Sequence, residues 1–190
     1  RLGRAEAMRC VSRPLPGMLV LEAEPRRDDR GSFARMFCLE ELGRLGVDGG
    51  VRQANISHSD RCHTLRGLHY QLAPSAETKI VSCMRGAIHD VVLDLRPDSP
   101  TFGRYAAVEL SAENRRIVVV PEGCAHGFLT LQDYCDAFYL VSAPYDPLRE
   151  RGVRWDDPAF GIAWPFPPAS ISERDAAHPD FDPGLHLAAA

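Results

Sequence analysis

Several polar side chains interrupt strand-like stretches of this chain: Arg66 and His69 in TLRGLHYQ, then Lys79, Asp90, His126 and Tyr139. Taken singly, each has a structural explanation, such as a strand histidine with a satisfied ring or a core tyrosine with its hydroxyl at the rim. Together they read differently, because the strands of one small barrel project alternate residues into a common interior. Converging there, they would supply a base, a cation for a developing oxyanion and an acid, a set suited to moving protons on a substrate.

The elements that must position these groups are mostly strands. From Met18 to about Tyr145 the chain alternates short β-branched or aromatic runs with Gly, Pro, Asn and Asp at intervals typical of a sandwich or barrel. GMLVLEAEP, GAIHDVVLDLR, FGRYAAVEL, RRIVVVPEG, HGFLTL and DAFYLVSAPY are the clearest strands, and TLRGLHYQ also reads as one. Helix is scarce: Leu39, Leu42 and Leu45 of CLEELGRLG recur at helical spacing, and Gly46 supplies a stop. In AIHDVVLDL, period two puts Ile88, Asp90, Val92 and Asp94 on one face, and Ala87, His89, Val91, Leu93 and Leu95 on the other. A carboxylate among aliphatics needs a partner, so Asp90 reads as a polar group inside a barrel mouth, behind the residues that meet a ligand. The segment after Tyr145, about 146–180, is rich in Pro, Asp and Trp and is expected to wrap the barrel. Residues 181–190 carry no signal and are expected to fray.

The length of 190 residues fits one domain with a sizeable core. Hydrophobic residues at 45% and charged residues at 25% exclude disorder and collagen-like structure. A net charge of −4 argues against nucleic-acid binding over a broad basic surface, although an anionic small ligand would still need a local arginine cluster. The chain has no apolar run of the roughly 18 residues a membrane span requires. RLGRAEAMRCVSRPL lacks the apolar segment of a secretory signal, so a cytoplasmic location is expected. The six cysteines form no CxxC pair and read as reduced structural thiols.

Pro121, Gly123 and His126 of PEGCAHGF match the P-x-G-x-x-H fragment of the second cupin motif, which points to a jelly-roll barrel. Cupins often hold a metal on histidines, but LHYQ offers Gln71 where a second histidine would stand, so no metal centre is expected.

Taken in order, DDRGSF, TLRGLHYQ, DLRPDSPTFG, ELSAENRR, PEGCAHGFLTL, ERGVRWDDPAFGIAWP and ISERD resemble the dTDP-4-dehydrorhamnose 3,5-epimerase family, over roughly residues 17–180. The resemblance implies an all-β, cupin-type jelly roll with a few short helices and no cofactor. It implies a homodimer acting on a nucleoside-diphosphate 4-keto-6-deoxyhexose. A 4-keto group acidifies the hydrogens at C3 and C5, so a base on one face and an acid on the other would invert those carbons through an enolate. By motif, His69 matches the base, Asp175 its partner, Tyr139 the opposite-face acid, and Lys79 the lysine near the C4 oxygen. Arg66 and His126 match sugar-contacting positions. Arg30, Gln53 and Asn55 match positions that hold the nucleotide and phosphates, and Arg35, Tyr145, Glu150 and Arg174 join the substrate-binding set. An arginine fork suits a pyrophosphate, which lets a chain of net charge −4 bind an anion.

The chain departs from the family pattern at defined places. QANIS stands where QDNHS is common, so a carboxylate and a histidine are replaced by Ala54 and Ile56. SFAR puts Ser32 where an aromatic is usual and Arg35 where a glutamate is usual, and Leu140 replaces a lysine after the acid tyrosine. Alternatives are an epimerase acting at C3 or C5 alone or a ketoisomerase, on a different sugar nucleotide. Outside that chemistry stand a metal-binding oxygenase and a sugar-binding cupin.

Overall fold

The computed structural model describes residues 7–47 and 50–188. In chain order its elements are β1 (Met8–Ser12), β2 (Leu19–Ala23), β3 (Arg26–Asp28), β4 (Gly31–Phe33), α1 (Leu39–Arg44), β5 (Gln53–Ser59) and β6 (Leu65–Gln71). There follow β7 (Lys79–Arg85), β8 (Ala87–Asp94), β9 (Tyr105–Ser111), β10 (Arg116–Val120), β11 (Cys124–Thr130) and β12 (Cys135–Val141). The last elements are β13 (Glu150–Gly152), α2 (Glu173–Ala176) and α3 (Pro183–His186).

The strands form two main antiparallel sheets, one in the order β1-β2-β10-β7-β12-β5 and the other β13-β6-β11-β8-β9. The small hairpin β3-β4 stands apart from both. This is the all-β sandwich expected from the spacing of the apolar runs. Val20, Val81, Ile88, Val92, Val118 and Phe128 fill the space between the sheets.

The central strands read as continuous apolar runs because both of their faces are covered. In β2 and β10, Val20 and Val118 point into the sandwich, while Leu19, Leu21, Ile117 and Val119 point outward beneath Leu42 of α1. In β8, Ile88 and Val92 point inward with Asp90 between them. Val91, Leu93 and Leu95 point outward and are covered by Val153, Phe160, Ile162, Trp164, Phe181 and Leu187 of the C-terminal segment. His89 lies on that covered face, edge-on to the Trp164 ring with centroids 6.0 Å apart. Each fully buried Val, Leu or Phe contributes about 1.5–3 kcal/mol, so the wrap and α1 are as much part of the core as the inter-sheet layer.

Helix α1 occupies the expected site, with Glu40 and Glu41 in its first turn, where a helix favours negative charge. Of its leucines, Leu42 is buried and Leu45 packs on the same cluster, whereas Leu39 is exposed. Gly46 follows with φ +85°, the left-handed conformation that ends the helix.

The tail carries the short helix α3. Asp182 caps α3 by accepting from the Leu185 N–H, His186 is buried, and the Tyr70 hydroxyl donates to the His186 carbonyl at 2.8 Å. An apolar pair, Phe181 and Leu187, gives this segment a face that packs against the outer cluster; residues 189–190 lie outside the described residues. All six cysteines are free, and burial pushes the Cys83 and Cys124 thiols up to about 12, as befits structural side chains. Among the described residues no helix is long and apolar enough to cross a membrane.

Candidate active site

His69 and Arg66 are three residues apart, so a regular strand would point them to opposite faces. In the pairing of β6 with β11, His69 lies opposite His126 and Arg66 opposite Phe128. Three steps along β6 therefore match two along β11, which is a bulge. It re-phases β6 so that Arg66 and His69 line one cavity, while Leu68 and Tyr70 pack under the C-terminal wrap. Gly67, with φ +105°, sits at the irregularity, and its N–H donates to Asp175 Oδ2 at 3.1 Å.

The cavity measures 510 Å³ and lies between the sheets. Arg66, His69, Lys79, His126, Tyr139 and Asp175 all line it, together with Arg174. A second cavity of 290 Å³ shares His69, Lys79 and Tyr139 and is bounded by Gln53, Asn55, Tyr145 and Glu150. The polar groups singled out in the sequence are thus brought together, with His69 on the five-stranded sheet and Tyr139 on the six-stranded one.

Asp175 belongs to α2, whose N-cap is Ser172: its Oγ accepts from the Asp175 N–H at 3.1 Å and fixes the turn. His69 Nε2 donates to Asp175 Oδ1 at 2.7 Å. Burial alone would raise the Asp175 carboxyl; the bonds from His69 and Gly67 outweigh it and hold the group below the ordinary carboxylate range. An ionised Asp175 keeps the proton on Nε2, leaving the Nδ1 lone pair free to accept another.

Lys79 Nζ lies 3.2 Å from Glu77 Oε1 and donates to the His69 carbonyl at 3.3 Å, so the lysine is anchored rather than solvated. Burial raises Tyr139, with the Arg66 charge acting in the opposite direction, so the hydroxyl stays a protonated phenol at neutral pH. His126 Nε2 donates to Asp90 Oδ2 at 2.7 Å, both side chains being buried, which gives Asp90 the partner its burial demands. The Arg66 guanidinium donates to Ser59 Oγ and to the His58 carbonyl. Glu150 accepts from the Tyr145 hydroxyl at 2.6 Å and pairs with Arg174, and these bonds outweigh burial to keep it ionised.

Two expected ligand-binding arginines are not brought to these cavities. Arg35 donates to Glu41 Oε1 at 2.7 Å, and Glu41, which ties α1 to β1, also accepts from the Ala7 and Met8 N–H groups, so Arg35 is held at that junction. Arg30 lies at the turn of the exposed β3-β4 hairpin, paired with Asp28. There it shares a 340 Å³ concavity with Arg26 and Arg27, two arginines not singled out from the sequence. Glu77 and His178 were also missed. Spacing could have found both, since Glu77 is two residues from Lys79 in extended chain and His178 is three from Asp175 around a helical turn.

The family model described as dTDP-4-dehydrorhamnose 3,5-epimerase matches residues 12–183. The chain belongs to the dTDP-4-dehydrorhamnose 3,5-epimerase family. It is 46% identical over 174 residues to the dTDP-4-dehydrorhamnose 3,5-epimerase of Mycobacterium tuberculosis, covering 88% of this chain and 85% of that one. A crystal structure of the Bacillus anthracis epimerase with TDP and PPi bound superposes with a TM-score of 0.89 at 39% identity, covering 92% of this chain and all of that one. ChmJ, a 3'-monoepimerase of Streptomyces bikiniensis solved with dTDP-quinovose, gives 0.82 at 38% identity over 88% of this chain and 85% of that one.

Two of the departures of this epimerase-family chain lie away from the base and the acid. Leu140 packs with the outer α1 cluster, whereas its neighbour Tyr139 packs against the inner core, so the lysine-to-leucine change lies off the cavity. Ile56 is exposed on β5, the edge strand of its sheet.

Proposed function

We propose that this chain epimerises a dTDP-4-keto-6-deoxyhexose at C3 and C5 through an enolate. The observation that carries this reading is the His69–Asp175 pair at 2.7 Å on one sheet, with the protonated Tyr139 phenol on the other sheet of the same cavity. The 4-keto group acidifies the adjacent C–H bonds. His69 takes the proton through its free ring nitrogen and becomes an imidazolium that Asp175 stabilises. Charge moves onto the C4 oxygen, which the anchored Lys79 ammonium and Arg66 would meet. Tyr139 delivers a proton to the opposite face of the same carbon, which inverts it, and solvent then restores both groups. His126, held by buried Asp90, and the Tyr145–Glu150–Arg174 cluster would position the sugar and the linked nucleotide.

The likeness to ChmJ, a monoepimerase of comparable identity, supports one second reading, inversion at C3 alone. Incubation with dTDP-4-keto-6-deoxyglucose in deuterated water separates the two. Deuterium at C3 and C5 is expected; deuterium at C3 alone selects the second reading. Absence of exchange with this sugar and with its CDP and GDP counterparts would overturn both. His69→Ala should abolish exchange, and retained exchange would remove His69 as the base.

A homodimer completes the reading. Arg26, Arg27 and Arg30 form the cationic cluster a pyrophosphate requires, yet their hairpin lines neither of the two cavities at His69 of its own chain, and Phe33 beside them is 68% exposed. A second copy provides a cavity for that hairpin and cover for Phe33; sedimentation at a single dimer mass is expected. We place the reaction in the cytoplasm, consistent with six free cysteines.

A further inference from the structure

Beside the His69–Asp175 pair stands a side chain to which the reaction gives no part. His178 Nε2 lies 3.9 Å from Asp175 Oδ1, beyond hydrogen-bond range. That nitrogen is buried and has no hydrogen-bond partner. A buried ring nitrogen left unpaired is an unmet desolvation cost, and each such case in a native structure calls for a reason. Room for the ring is made by Gly152, where a Cβ would overlap His178 Nε2. Gly152 is also the residue that pairs with His69 across β13 and β6, so the backbone beside the base is shaped to admit a second imidazole.

Ligand atoms of His69, Asp175 and His178 all lie within 4.8 Å of one another. Donor atoms about 2.0–2.1 Å from a tetrahedral zinc stand roughly 3.3 Å apart. The observed 2.7 Å from His69 to Asp175 and 3.9 Å from Asp175 to His178 straddle that spacing. The third separation, between the two histidine nitrogens, is no more than 4.8 Å, so the side chains would have to draw in around a bound ion. Asp175 can serve because Gly67 holds its other oxygen, Oδ2. We propose that His69, Asp175 and His178 form a transition-metal site of two imidazoles and one carboxylate, which inhibits the enzyme when Zn²⁺, Co²⁺ or Ni²⁺ fills it.

The inhibition follows from where the ring proton goes. A neutral imidazole carries one proton, which Asp175 keeps on Nε2. A metal bound at Nε2 forces that proton to Nδ1, the lone pair that would accept a proton from the sugar. The ring stays neutral, nothing is oxidised or reduced, and the base is lost. This consequence rests on His69 as the base; metal binding itself does not.

The test is titration of the metal-free protein with Co²⁺, followed by its visible absorption, with displacement by Zn²⁺. One Co²⁺ per chain is expected, with loss of deuterium exchange in parallel and recovery on adding EDTA. His178→Gln and His178→Ala should weaken binding by more than about tenfold and shift inhibition by the same factor, each variant being read against its own metal-free rate. Gln keeps the volume if Ala fails to fold. His58→Asn serves as control, because His58 contacts Asp136 and Asp60 in an exposed trio. Absence of stoichiometric binding, binding untouched by either His178 variant, or binding lost in His58→Asn would overturn the site. Binding that depends on His178 without inhibition would overturn the inhibitory role and count against His69 as base, leaving the site intact.

Discussion

A Cβ on Gly67 would stand 2.6 Å from the His126 carbonyl oxygen and 2.7 Å from Gly127 Cα. Both neighbours are backbone, and Gly67 itself has φ +105°, so a side chain there has neither room nor an accessible conformation. The close approach of β6 and β11 at this glycine accompanies the bulge that aligns Arg66 with His69 and places the N–H donor for Asp175. Gly67→Ala is therefore expected to destabilise the fold by at least about 1–3 kcal/mol, measured by urea unfolding, and to abolish exchange in whatever folds. A variant of native stability and activity would show that the approach is not needed.

That bulge also marks the limit of what the chain made legible. Short apolar runs made β2, β8 and β10 legible as strands, because both faces of each are covered. His69, Lys79, Tyr139 and Asp175 were found by motif and do meet at one cavity. Pattern alone could not show that Arg66 and His69 share a face, because period two predicts the opposite. Nor could it show that Arg35 is held by Glu41, since that pairing depends on where α1 docks against β1. The packing of the tail was not legible for a related reason: Phe181 and Leu187 look isolated in sequence and acquire a partner surface only when the outer face of β8 is in place.

Asp175→Asn removes the charge while preserving shape. The amide has one acceptor oxygen where the carboxylate had two, so the Gly67 N–H and His69 Nε2 compete for it, and the charge that stabilises the imidazolium is gone. The exchange rate should fall by about 10²–10⁴, with KM much less affected. Because the Asp175 carboxyl sits below its ordinary value in the folded state, its contribution to stability is full above that ordinary value. The contribution is lost as pH falls through the lower, folded one. The stability advantage of the wild type over Asp175→Asn should therefore shrink below about pH 4, as followed by urea unfolding from neutral to acid pH.

The buried Asp90–His126 pair predicts an asymmetry. His126→Ala leaves a carboxylate buried without its donor, and Asp90 Oδ1 already has no hydrogen-bond partner. Breaking such a pair by removing one member costs about 3–5 kcal/mol, because the remaining group stays buried and uncompensated. Asp90→Ala with His126→Ala should cost clearly less than the sum of the two single changes. A double-mutant cycle by chemical unfolding measures the difference, and strict additivity would show that the two side chains are not coupled.

Tyr139→Phe should divide the reaction into its halves. The ring still fills its place against the inner core, so the fold is retained. His69 still makes the enolate and can return a proton only to the face from which it took one. Deuterium is then expected to enter the recovered substrate while the inverted product is lost; inverted product forming at the wild-type rate would exclude Tyr139 as the acid. Burial lifts the phenol above its ordinary value, and the acid must be protonated to act, so its activity persists as pH rises through about 10. A wild-type pH profile falling well below that value would assign the alkaline limb to a different group.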